Sequence, residues 1–217
     1  NRQMIYIFYC TSRGELDGKS FSYFLEKLPK KSQLQVVRFK KWEDRQRSLF
    51  SKLLLINGLR IMGMDSLSID ELKFTRFKRP YFNNNIDFNI SHSGDYIICA
   101  ISRRHKIGVD IEEVKEIPFD DFENEFSFKE MTAIMNSDNN MNSFYTLWTQ
   151  KEAFLKAIGT GLHTQLNKVE VDDRIIKWNN TSWFLSEIIL DAKYISHLCT
   201  DTLHPEIIIQ EINFKKD

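Results

Sequence analysis

Two acidic residues, Asp110 and Glu112, stand two apart in GVDIEEVKEI (108–117), a stretch that otherwise reads as a buried strand. In an extended segment residues i and i+2 project to one face, so the two carboxylates share a surface and Val109 and Ile111 face away. Like charges held this close raise each other's pKa and cost stability unless something positive sits between them. Further on, SFYTLWTQKEAFLKAI (143–158) sets Glu152 and Lys156 four apart, neighbours on one helix flank. A third polar group falls in FNISHSGDY (88–96), where Ser91, His92, Ser93 and Gly94 read as a turn between apolar segments. Its hydroxyls, backbone N–H groups and imidazole can converge on a phosphate.

Each signal has an ordinary explanation. A Glu–Lys pair at i, i+4 is most often solvated and worth roughly a few tenths of a kcal/mol. Paired acids can mark a solvent-facing strand edge, and a histidine in a turn is usually incidental. Together they describe a site for an anion and a metal ion.

The elements that must position these groups are legible in outline. MIYIFYC (4–10) is aromatic and β-branched and reads as a strand. WEDRQRSLFSKLLLINGLRIMG (42–63) has helical spacing at Leu49, Leu53 and Ile56, with Asn57-Gly58 as the expected stop. YIICAIS (96–102) is a continuous apolar strand, and HKIG (105–108) is read as a tight turn making residues 96–112 a hairpin. Residues 119–136 form one helix or two short ones, and 137–142 a loop. The helix that follows is expected to end at Gly159 and Gly161. On it Phe144, Leu147, Phe154, Leu155 and Ile158 share an arc, with Trp148 at its edge and Lys151 near its middle. Such a lysine either snorkels or is buried against an acid. The tail, KVEVDD, SWFLSEIIL, YISHLC and PEIIIQEINF, reads as successive strands. The order predicts an α+β protein in two halves meeting near residues 103–107.

Composition narrows the class. The 217 residues are 42% hydrophobic and 28% charged, enough for a substantial core. Thirty basic and thirty acidic residues cancel, so no global field favours nucleic acid or anionic lipid, and phosphate binding must be local. Cys10, Cys99 and Cys199 are odd in number and lack a CxxC pair, which fits free thiols in a reducing, cytoplasmic setting. No apolar run reaches a membrane span, and NRQMIYIFYC is a strand pattern rather than a signal peptide; starting at Asn1 suggests a numbering that omits an initiator Met.

FNISHSGDYIICAI, IGVDIEEV and FYTLWTQKEAFLKAIGTGL resemble, in order and spacing, the motifs of 4'-phosphopantetheinyl transferases of the long, surfactin-synthetase-activating type. The most specific parts are a Gly-Val/Ile-Asp-x-Glu element, here Gly108–Glu112, and a Trp-x-x-Lys-Glu-Ala/Ser-x-x-Lys helix about forty residues later, here Trp148–Lys156. The likeness covers residues 38–165, with RFKKWEDRQRSLF matching the family's basic helix start; the C-terminal strands agree in pattern only.

The resemblance implies an α+β pseudo-dimer, two similar halves with the active site at their interface. An N-terminal half (1–104) would contact coenzyme A phosphate and adenine, and a C-terminal half (105–217) would hold the metal and the carrier protein. It implies transfer of the phosphopantetheine arm of coenzyme A to a serine of an acyl or peptidyl carrier protein, with Mg²⁺ and release of 3',5'-ADP. Asp110, Glu112 and Glu152 would ligate the ion, and Glu152, Lys156 and His92 are the implied catalytic set. Glu152 could equally be ligand or base. Ser91, His92 and Lys156 would grip phosphates, Arg47 and Lys31 would reach the 3'-phosphate, and Arg79 and Pro80 would lie by the adenine, where the family often has Lys-Pro. Phe126, Phe128, Met131 and Met135 are either core or a groove for the carrier's helix. A monomer is expected. Two alternatives stand beside this: a non-catalytic coenzyme A or carrier-binding homologue, and a metal-dependent nuclease suggested by Asp110 with Glu113-Val114-Lys115.

Overall fold

Two four-stranded sheets organise the chain in the computed structural model, which describes residues 4–214, the Leu162 side chain excepted. Residues 1–3 and 215–217, and with them the expectation attached to Asn1, lie outside the described residues. The strands are β1 (Met4–Thr11), β2 (Lys73–Phe74), β3 (Pro80–Tyr81), β4 (Asp87–Ser93), β5 (Tyr96–Ser102), β6 (Ile107–Glu113), β7 (Ile175–Trp178), β8 (Thr181–Glu187), β9 (Tyr194–Thr200) and β10 (Glu206–Glu211). The helices are α1 (Gly18–Glu26), α2 (Lys30–Val37), α3 (Trp42–Ile61), α4 (Phe128–Met135) and α5 (Asn140–Ile158). One sheet runs β10-β1-β5-β4 and the other β6-β9-β8-β7. This is the expected two-half α+β architecture: β1, α3 and the β4–β5 hairpin in the first half are answered by β6, α5 and the β8–β9 pair in the second.

Each sheet carries one long helix. In β5 the alternation splits: Ile97, Cys99 and Ile101 join α3 in one core, whereas Tyr96, Ile98 and Ala100 join Ile107, Val109 and Ile111 of β6 in a second. A strand apolar on both faces is what burial between two layers demands. Helix α5 buries Phe154, Leu155 and Ala157 with Trp183, Leu185 and Cys199, and a further aromatic cluster gathers Phe119, Phe122, Phe126, Phe144 and Trp148.

The halves meet where β6 runs beside β4 without a backbone ladder. Side chains of β4 take its place: Asp87 accepts from the Ile107 N–H (2.9 Å), Asn89 from Val109 (2.8 Å) and Ser93 from Glu113 (3.1 Å). The offset stays constant along the seam, so buried strand-edge donors are satisfied by polar side chains in step.

Several expectations are corrected. Residues 96–112 are not a hairpin, because β5 and β6 belong to different sheets; the hairpin is β4–β5, turning at Gly94 (φ 51°) and Asp95. Ser91 and His92 consequently lie within β4 rather than in a turn. Helix α3 runs through Asn57-Gly58 to Ile61. Gly58 serves close approach instead of termination, since a Cβ there would stand 2.6 Å from the Phe8 ring. KVEVDD is a short 3₁₀ turn and a bridge, not a strand. The last strand returns to the first sheet, β10 pairing parallel with β1.

Candidate active site

Three elements deliver side chains to one cleft of about 340 Å³. Ile90, Ser91 and His92 come from β4, Asp110 and Glu112 from β6, and Trp148, Glu152 and Lys156 from α5. Helix α5 reaches this depth because the second residue of β6 is a glycine: a Cβ on Gly108 would lie 2.0 Å from the Ala153 carbonyl oxygen and 2.3 Å from the Ala157 nitrogen. With no side chain in the way, the turn of α5 bearing Glu152 and Lys156 rests directly on the strand bearing Asp110. The helix then stops at Gly159, whose left-handed backbone (φ 74°) closes a cap onto the Leu155 carbonyl.

Inside the cleft Lys156 Nζ donates to Asp110 Oδ1 (2.5 Å) and Ser91 Oγ (2.9 Å), and Ser91 Oγ donates to the same carboxylate oxygen (2.9 Å). Asp110 is 3% exposed, and its other oxygen, Oδ2, is buried without a partner. Glu112 accepts from Ser93 Oγ (2.8 Å). Burial, then the negative charge of Asp110, raise the Glu112 carboxyl above its usual range. The same causes in the same order raise Glu152, with Glu112 adding to them. His92, an exposed residue of the cleft lining, is partly desolvated; that desolvation, then the positive charges of Arg47 and Lys156, push its pKa down to about 4. At neutral pH it is therefore an uncharged donor and acceptor.

Among the described residues no three His, Cys, Asp or Glu side chains are gathered closely enough to hold one metal ion. Lys156 takes the place of counter-charge at Asp110. The donor set nonetheless suits a hard divalent cation: an unpartnered buried carboxylate oxygen, and two further carboxylates in the same cleft raised by burial and then by the charge of Asp110.

The remaining predicted residues divide. Arg47 lies close enough to His92 to depress its pKa and bonds to Asp44 (3.2 Å). Arg79 does not line the cleft; its guanidinium binds both oxygens of Asp87 (2.7 and 3.0 Å) and carbonyls of Lys156 and Ile107 (3.0 Å each). Pro80 opens β3, and Lys31 donates to the Asp70 carbonyl (3.3 Å); neither lines the cleft. Lys151 is fully buried, but its acid is Glu130 of α4 (2.7 Å), outside the cleft, with the Leu166 carbonyl at 3.1 Å. Glu113 and Lys115 pair with each other (2.8 Å), also outside it. Of the apolar quartet, Phe126 is core and Met131 half-buried, whereas Phe128 is 89% exposed and Met135 52%. Trp148, placed by the sequence only at the edge of the apolar arc and in the helix motif, lines the cleft one turn before Glu152, and Ser93, read as one of the hydroxyls for a phosphate, bonds Glu112 two residues beyond Ser91 on the same strand face.

Residues 106–204 match the family described as the 4'-phosphopantetheinyl transferase superfamily, and residues 17–104 match the family 4'-phosphopantetheinyl transferase, N-terminal. Over 172 residues the chain is 32% identical to 4'-phosphopantetheinyl transferase gsp of Aneurinibacillus migulanus, covering 78% of this chain and 72% of that one. Against 4'-phosphopantetheinyl transferase Sfp of Bacillus subtilis it is 33% identical over 62% of this chain and 61% of the relative. Among solved structures, holo-[acyl-carrier-protein] synthase of Thermotoga maritima aligns with 44% of this chain and 61% of its own at 20% identity and a TM-score of 0.34. The chain belongs to the 4'-phosphopantetheinyl transferase superfamily, an enzyme family, and its seam between two α+β halves is where the motif residues gather. Among the described residues no helix is long and apolar enough to cross a membrane.

Proposed function

We propose that this enzyme moves the 4'-phosphopantetheine arm of coenzyme A onto a serine hydroxyl of an apo acyl or peptidyl carrier protein, releasing 3',5'-ADP. The observation that carries the reading is the cleft in which Asp110, Glu112, Glu152, Lys156, Ser91 and His92 meet across the seam. The serine oxygen forms a bond to the pyrophosphate phosphorus next to pantetheine, the bond to the ADP oxygen breaks, and the serine proton passes to a base. Glu152 suits that base, because a carboxyl with a raised pKa holds a proton more readily than an ordinary one. Lys156 moves from Asp110 to the diphosphate, bringing positive charge where negative charge accumulates. Ser91 and neutral His92 donate to phosphate oxygens, and Arg47, near His92, supplies charge for the 3'-phosphate. Asp110 and Glu112, with Glu152, would hold Mg²⁺, which neutralises diphosphate charge when bound.

The test is intact-mass analysis of several apo carrier proteins incubated with coenzyme A and Mg²⁺. A phosphopantetheine mass gain on the carrier serine is expected. Absence of gain on every carrier, with coenzyme A still bound, would favour the non-catalytic homologue.

A further inference from the structure

We infer that Arg79 and Asp87 are positioning residues for the cleft, an ionic clamp that sets Lys156 against Asp110 and Ser91, rather than coenzyme A contacts. The inference rests on the cleft being the transfer site. The Lys156–Asp110–Ser91 cluster joins three elements, α5, β6 and β4. The Arg79 guanidinium joins the same three at a second point. It holds Asp87 of β4 in a two-bonded pair (2.7 and 3.0 Å), takes the Ile107 carbonyl of β6 (3.0 Å), and takes through Nε the carbonyl of Lys156 itself (3.0 Å). Asp87 also accepts the Ile107 N–H (2.9 Å).

Burial favours this reading over a cofactor contact. The Arg79 and Asp87 side chains are 11% and 7% exposed, and Arg79 is absent from the cleft wall. The arginine stem also explains the end of α5. A Cβ on Gly159 would stand 2.8 Å from Arg79 Cδ, so the helix ends in the one residue that leaves the stem room. A planar guanidinium with five N–H donors can hold both oxygens of a carboxylate and two carbonyls at once, whereas a lysine ammonium has only three donors for those four bonds.

The discriminating variants are Arg79→Lys and Asp87→Asn, assayed for carrier modification with coenzyme A varied. The clamp predicts that kcat falls at least tenfold in both, that KM for coenzyme A moves less than about twofold, and that the double variant is no worse than either single one. Normal kcat in Arg79→Lys, or a KM for coenzyme A raised tenfold with Asp87→Asn unaffected, overturns it. Circular dichroism and melting above the assay temperature establish that the variants are folded. Should neither fold, or should the wild type modify no carrier, hydrogen exchange at the Ile107 amide of the wild type decides. Protection at the level of global unfolding supports the clamp, and fast local exchange removes it. A wild type that is inactive yet protected at Ile107 would overturn the functional reading and leave the clamp standing.

Discussion

At Asp110 one carboxylate oxygen is shared by Ser91 and Lys156 while the other meets nothing. A buried oxygen left so costs about 1–3 kcal/mol, a cost that folding alone does not repay and a bound ligand can. Asp110→Ala is therefore expected to keep or slightly raise the melting temperature while lowering transfer by at least about a hundredfold. Glu152→Gln, which keeps the shape and removes the base, is expected to do the same to turnover. Steady-state rates on a carrier serine check both, and near-normal turnover in either contradicts its assigned role. A different residue governs acid stability. His197 on β9 is 4% exposed, with Nδ1 2.8 Å from Thr149 Oγ1; burial, then the charge of Arg174, hold its pKa at about 4 instead of 6.5. The unfolded chain binds a proton there from pH 6.5 downward and the folded chain does not. Stability from this group is thus complete above pH 6.5 and lost progressively toward pH 4, by up to about 3 kcal/mol. Urea unfolding of His197→Gln across that window should show a flatter pH dependence than wild type; an equal slope would remove the assignment.

Between elements, the decisive contact is that of α5 on β6. Because any Cβ at Gly108 would collide with the Ala153 carbonyl and the Ala157 nitrogen, both helix backbone, no side-chain rotation can relieve it. Gly108→Ala is expected to lift the helix, lower the melting temperature by several degrees, and cost activity beyond what the stability loss explains, since Glu152 and Lys156 ride on the displaced turn. Melting curves and kcat measured well below the transition separate the two effects; unchanged kcat in a destabilised variant would show that helix depth does not set the chemistry. Element types were largely legible, because α5 and β1 carry long, consistent periodicities and a glycine cap. Pairing was not. Strand β6 looked like the partner of β5 because a short turn-like link joins them, yet its backbone pairs with β9, almost ninety residues later, and its other edge is met by side chains of β4. Local sequence reports period and turn chemistry; which edge a strand takes is settled by the burial of both its faces.

For the whole molecule the seam between halves concentrates charge of both signs. Three carboxylates from β6 and α5, with Lys156 as the cation bonded to Asp110, line one cleft, and the charge of Asp110 adds to burial in raising Glu112 and Glu152; on the proposed function a divalent cation would relieve that repulsion. Mg²⁺ is accordingly expected to raise the melting temperature, and more so with coenzyme A present, following mass action on the folded state. Scanning calorimetry with and without chelator tests this; a melting temperature that rises on chelation would contradict the assignment. Strand β10 (Glu206–Glu211) completes the first sheet by pairing with β1, so the halves are tied at the seam and again through this return.

The sequence by itself pointed to the side chains that line the cleft, and to a strand for Asp110 and Glu112 and a helix for Glu152 and Lys156, because those readings depend on spacing of a few residues along one element; Ser91 and His92, read as a turn, lie in a strand. Only the tertiary structure decided that Lys156 would lie on Asp110, that Lys151 would turn to Glu130, and that Arg79 would bind Asp87 and two carbonyls. Each of those choices is made between residues far apart in the chain. The partner of a buried charge is whichever opposite charge packing brings near, and that is a property of the assembled seam and of no single segment.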